Sequence, residues 1–108
     1  MKRVKYSFSD SDVSAILFAL SVLPSLGLES TEVQSEINFQ CCRSAGQKLI
    51  AKRTDITPNE FRVILGSLHA VQLINRGEIE ADLETKKQCS NYMFSVNKLV
   101  SALDEQSS

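Results

Sequence analysis

The side chains able to do chemistry in this sequence are few and scattered. There is one histidine, His69, and there are three cysteines, Cys41, Cys42 and Cys89. Thiol catalysis needs a thiolate with a base held beside it, and a metal needs three or four donors converging on one point. Cys41 and Cys42 are adjacent on a segment that reads as helix, so their side chains point about 100° apart and cannot chelate one ion together. The three cysteines match neither a disulfide framework nor a spaced zinc motif. Cys41 and Cys89 are expected as buried thiols packing like small hydrophobes. His69 lies beside a core stripe and is expected at an exposed or interfacial position. No glycine-rich phosphate loop, paired-carboxylate motif or serine-nucleophile motif is present. Glu78, Glu80, Asp82 and Glu84 cluster where a helix should begin, and there they favour its dipole and solubility. These residues point away from an enzyme and toward no metal and no cofactor.

Phosphate binding is a second chemistry to weigh. Lys48, Lys52 and Arg53 end one expected helix, Lys86 and Lys87 lie in another, and Lys2, Arg3 and Lys5 lead the chain. If these converged, they would form a basic strip able to contact a nucleic-acid backbone. A net charge of −1 supplies no general attraction to nucleic acid or anionic lipid. The stretch TPNEFRVILGSL resembles the helix that opens the DNA-binding domain of MarR-type winged-helix regulators. That resemblance implies that residues 78–103 supply a helix, a turn at Glu84-Thr85-Lys86 and a recognition helix. The usual turn glycine is absent, and no alternating wing strands follow Leu103. DNA binding, by a winged-helix or helix-turn-helix regulator, is the alternative reading, and an unbroken helix through 84–87 would remove it.

The elements that must position these residues announce themselves by repetition. FSDSDVSAILFAL at 8–20 has the layout of ITPNEFRVILGSL at 56–68, 48 residues on. Thr57 can cap a helix, with Pro58 at its first position and Glu60 reaching back to the cap's N–H. Ile56 and Phe61 can close over this turn as a hydrophobic staple. Ser9, Asp12, Phe8 and Val13 supply the same parts in the first copy. Val13, Ile16, Leu17 and Leu20 then form an apolar stripe, and Phe61, Ile64, Leu65 and Leu68 occupy the equivalent places. The first helix should stop near Leu23, before Pro24 and Gly27. The third should stop near Ile74, with Gly77 as a left-handed terminator.

A longer helix should follow each of these. One, capped by Ser30 or Thr31, runs to about Lys52 with Val33, Ile37, Cys41, Ala45 and Leu49 inward. The other runs from about Ile79 to Leu103 with Leu83, Cys89, Met93, Val96, Val100 and Leu103 inward. Weaker similarity links these two as well: Lys48-Leu49-Ile50 matches Lys98-Leu99-Val100 at an offset of 50, and Cys41 matches Cys89 at 48. The fold class expected is therefore all-α, an antiparallel four-helix bundle of two tandem helical hairpins with pseudo-two-fold internal symmetry. Residues 1–8 form an extended segment, 9–103 one domain (hairpins of about 9–53 and 57–103), and 104–108 a frayed tail.

Length and composition agree with one domain. At 108 residues, 43% hydrophobic and 23% charged, the chain can bury a core without metals or disulfides. Only 4 glycines and 2 prolines favour helices over many short strands. Lys2, Arg3 and Lys5 before VSAILFALSVL resemble a secretory signal, yet Asp10 and Asp12 intervene where such signals avoid acids. The apolar run is also shorter than the ~20 residues that span a bilayer. A cytoplasmic location away from membranes is expected.

One surface invites a functional reading. Ala15, Phe18, Ala19 and Val22 form a second apolar face on the first helix, opposite Val63, Gly66, Ser67 and Ala70 in the third. Phe18 over the gap at Gly66 would let the two helices cross closely inside the monomer. Alternatively Ala15, Phe18, Ala19, Val22, Gly66, His69 and Ala70 form an interface for a homodimer or a protein partner. The function expected is a small non-enzymatic protein-interaction or regulatory accessory module acting through a helical surface.

Overall fold

The computed structural model describes residues 8–25, 32–53 and 55–107, with the side chains of 23–25, 32–38 and 105–107 outside that set. It is all-helical, consistent with a four-helix bundle: α1 (Asp10–Ser25), α2 (Glu32–Ile50), α3 (Pro58–Asn75) and α4 (Leu83–Ser107). No strand occurs among the described residues. Residues 1–7 of the extended segment expected at 1–8, the caps at Ser30 and Thr31, and the side chains of Val33 and Ile37 lie outside the described residues.

Local chemistry accounts for where the helices begin. Thr57 Oγ1 accepts from the Glu60 N–H at 3.1 Å, and the Thr57 N–H donates to Glu60 Oε1 at 2.9 Å, so two otherwise orphaned donors are satisfied reciprocally. Ser9 and Asp12 repeat the arrangement, with the Asp12 N–H donating to Ser9 Oγ at 3.1 Å and the Ser9 N–H to Asp12 Oδ2 at 3.2 Å. α4 begins differently from expectation. It starts at Leu83 and not Ile79, because Asp82 is the cap: its Oδ1 accepts from the Thr85 N–H at 3.0 Å. Leu83, expected inward, sits in the first turn before α4 reaches the core and is 83% exposed.

The helix ends reuse one motif with two different residues. After α3, the Glu78 N–H donates to the Leu73 carbonyl and the Gly77 N–H to the Ile74 carbonyl, with Gly77 at φ 83°. After α2, the Arg53 N–H donates to the Lys48 carbonyl and the Lys52 N–H to the Leu49 carbonyl. Here the left-handed residue is Lys52, at φ 58°. Both are Schellman terminations, and only the first has the glycine that makes the left-handed step cheap. α1 continues through Pro24 to Ser25, slightly past the expected stop. α4 continues to Ser107, so residues 104–107 are helix where fraying was expected.

Packing explains why α1 is apolar nearly all round. α1 and α3 touch each other and both remaining helices, whereas α2 and α4 do not touch among the described residues. α1 is thus central and has neighbours on three sides. Ile16 and Leu20 of its first stripe are buried, and so are Ala15, Ala19 and Val22 of its second. The matching α3 residues Val63, Ser67 and Ala70 are buried too. Small side chains let helix backbones approach, and the Ser67 hydroxyl meets its need within α3 by donating to the Val63 carbonyl at 2.6 Å. The core is completed by Leu49, Ile56, Leu68, Val71, Ile74, Val96, Leu99 and Leu103. Leu99 was not among the expected inward residues; it adjoins Val100 on a broader buried face of α4.

Two expectations about particular contacts are corrected. Phe18 does not lie over Gly66. Its ring stacks on Tyr92 of α4, centroids 5.0 Å apart and 20° between planes, while Gly66 is exposed with open space where a Cβ would be. On α2 the more deeply buried thiol is Cys42, with Cys41 half-buried beside the core. Ala45 and Leu49 face inward as expected, and Cys42 and Gly46 are buried with them, so the inward face of α2 is broader than expected on the Cys42 side.

Two buried acids join the halves. Lys48 of α2 reaches the start of α3, where its Nζ donates to Glu60 Oε1 at 2.7 Å. Lys98 of α4 reaches the start of α1, where its Nζ stands 3.4 Å from Asp12 Oδ1 as an ion pair. Each hairpin thus sends a lysine to the buried N-terminal acid of the other.

Candidate functional site

The residues singled out for chemistry do not assemble. His69 is exposed on α3, and its Nε2 is 3.8 Å from Asp104 Oδ1. Cys89 is fully buried in α4, and burial raises its thiol above the usual range, which keeps it protonated and poorly nucleophilic at neutral pH. Among the described residues, no three His, Cys, Asp or Glu side chains come together as metal ligands would. The N-terminal acids near α4 act locally: Asp82 is the cap, and the Thr85 side chain and N–H hold its carboxyl below the usual range.

The basic residues also stay apart. Lys48 is drawn inward, donating to Glu60 and, at 2.9 Å, to the Asp55 carbonyl. Arg53 is engaged by Asp55 through Nε at 2.9 Å and through a second, shorter contact from Nη2. Lys52 is exposed at the C-terminal end of α2, next to the start of α3. Lys86 and Lys87 lie in the first turns of α4, next to the end of α3. At 1.5 Å per residue α3 is ~27 Å long, so its two ends, and the two basic groups, do not form one strip. Residues 84–87 lie within unbroken α4, so the turn expected at Glu84-Thr85-Lys86 does not exist. Lys2, Arg3 and Lys5 lie outside the described residues.

The proposed second-face interface is mostly interior. Ala15, Ala19, Val22 and Ala70 are buried within the bundle, and Phe18 is covered in part by Tyr92. Only Gly66 and His69 of that set are exposed.

The structure instead opens a groove that sequence reasoning missed. It runs between α1 and α2, encloses about 620 Å³, and is lined by Leu17, Leu20, Ser21, Phe39, Cys42, Arg43, Gly46, Gln47 and Ile50. Its wall is almost wholly apolar. Phe39 and Ile50 stand at its rim, 48% and 67% exposed. Gly46 forms part of the floor: a Cβ there would lie 3.4 Å from Leu17 Cδ2, so any larger side chain would begin to fill the space. Arg43 and Gln47 supply the polar margin. The signal that could have found it is the series Phe39, Arg43, Gly46, Gln47, Ile50, which runs down one side of α2 at helical spacing. It sits beside the buried stripe and widens the apolar face beyond what α1 covers.

An open trough between two helices, apolar within and polar at its margin, accepts an amphipathic helix or an extended apolar segment. The fold and site together define an all-helical module with such a trough and no assembled catalytic group among the described residues. No protein-family model, no curated protein and no solved structure matched this chain. No helix of the structure is long and apolar enough to cross a membrane among the described residues.

Proposed function

We propose that this protein is a non-enzymatic interaction module that receives an apolar helical segment of a protein partner in the α1–α2 groove. One observation carries the reading: Phe39 and Ile50 are held at the rim of a preformed apolar trough. Exposing large apolar side chains beside a concave apolar surface costs solubility, and binding recovers that cost. The surface differs from the one anticipated on α1 and α3, of which Ala15, Ala19, Val22 and Ala70 are buried in the core. Arg43 and Gln47 at the margin would orient the partner and pair with its polar face. The three cysteines form no disulfide, which suits a reducing compartment, and a cytoplasmic site of action goes with the proposal.

A photo-crosslinking residue in place of Gln47 tests this in native cells. Discrete adducts at 47, and none from the same residue placed at exposed Arg62 on α3, are expected. Equal, diffuse labelling at both positions would overturn it.

A further inference from the structure

We propose that the groove takes a second copy of this chain, through the outer face of that copy's α4; this rests on the groove being a receptor for a helix. α4 carries the two most exposed large apolar side chains among the described residues, Leu83 at 83% and Phe94 at 84%. They are 11 residues apart, which is three helical turns plus about 20°, so they stand in one line ~16 Å long. Phe39 and Ile50 of the groove are also 11 residues apart on α2, in a line of the same length. An α4 laid along the groove can therefore set both of its apolar side chains against both rim residues at once. Within one molecule this cannot happen, because α2 and α4 do not touch among the described residues.

Charge selects the direction. In the parallel register Leu83 meets Phe39 and Lys87, four residues on, meets Arg43, two cations in an apolar setting. In the antiparallel register Phe94 meets Phe39, Leu83 meets Ile50, Ser90 faces Arg43, Lys86 faces Gln47 and Lys87 crosses over Gly46. Arg43 then faces a serine and no lysine directly, and the flexible Lys87 stem lies along the apolar floor while its ammonium reaches the polar margin. The contact uses different surfaces on the two copies, so each bound molecule still offers a groove at one side and an α4 face at the other. Such contacts extend head to tail or close into a ring, the smallest ring being two copies that each place α4 in the other's groove.

The test uses two surface variants that block opposite halves of the contact. Phe94→Glu removes the α4 face and leaves the groove; Ile50→Lys blocks the groove and leaves α4. Sedimentation of the wild-type chain between about 5 and 500 µM should show mass rising with concentration above the monomer, to a closed dimer or beyond. Each variant alone should remain monomeric. An equimolar mixture of the two should form a 1:1 complex that does not grow, because each partner has one usable surface. Phe39→Ser should behave as Ile50→Lys does. A wild-type monomer across this range, self-association of Phe94→Glu equal to wild type, or no complex in the mixture would each overturn the proposal. A wild-type monomer whose groove still crosslinks to another protein would refute self-association alone. Absence of both would remove the groove as a receptor.

Discussion

Replacing Glu60 with glutamine isolates the charge that ties the second hairpin's start to the first hairpin's end. Burial by itself would raise this carboxyl, but hydrogen bonds from Lys48, Ser44 and the Thr57 N–H outweigh it and hold the pKa at about 2, against an ordinary value of 4.5. The difference of ~2.5 units corresponds to ~3 kcal/mol of folding stability. Because the folded-state value is the lower one, this stability is complete above pH 4.5 and is lost as pH falls from there toward 2. Glutamine keeps an acceptor for the Thr57 N–H, but offers Lys48 no negative charge and turns an amide toward Ser44. Glu60→Gln should therefore cost ~2–3 kcal/mol at pH 7. Between pH 7 and 3.5 the wild type should lose ~1.4 kcal/mol through this group and the variant nothing, so the gap between them narrows by that amount. Urea unfolding followed by far-UV circular dichroism measures both chains at each pH. Other carboxylates titrate alike in the two proteins and cancel in the difference. A gap that stays constant between pH 7 and 3.5 would refute the reasoning, since the glutamate would then contribute through shape and not charge.

Other predictions follow from single positions. Lys52→Gly relieves a left-handed residue that is not glycine and should stabilise by ~0.5–1 kcal/mol, whereas Gly77→Ala imposes that strain and should cost ~1 kcal/mol, both read as shifts in thermal midpoint. Gly46→Ala should raise stability by ~0.5–1 kcal/mol through helix propensity, since its methyl would meet Leu17 at ordinary contact distance. Gly46→Leu should fill the groove and abolish the Gln47 crosslink while the circular dichroism spectrum is unchanged. Alkylation with iodoacetamide at pH 8, followed by mass spectrometry, should modify half-buried Cys41 first and Cys89 only on unfolding; early modification of Cys89 would contradict its burial.

Much of this protein was determined by its sequence alone, because the forces concerned act over one or two helical turns. The capping boxes at Ser9–Asp12 and Thr57–Glu60 and the stop at Gly77 depend on residues three to five apart, and each occurs as the spacing implies. The four helices follow from those signals and from apolar periodicity. Where local signals competed, the reading slipped. Asp82 captured the start of α4 from the acids before it, and Lys52 accepted a glycine's conformation that its residue type does not announce. The tertiary structure alone decided which apolar faces are used up. α1's second face was visible as apolar, but only its central place, with neighbours on three sides, buries Ala15, Ala19 and Val22 and disqualifies them as an interface. The groove had no such local signature. It exists because α2 turns Cys42, Ala45 and Leu49 inward and leaves the neighbouring line from Phe39 to Ile50 uncovered. Ala45 and Leu49 face inward as their spacing implies, but helical periodicity, which repeats every turn, carries no information about which neighbour a stripe will meet or how far that neighbour covers it.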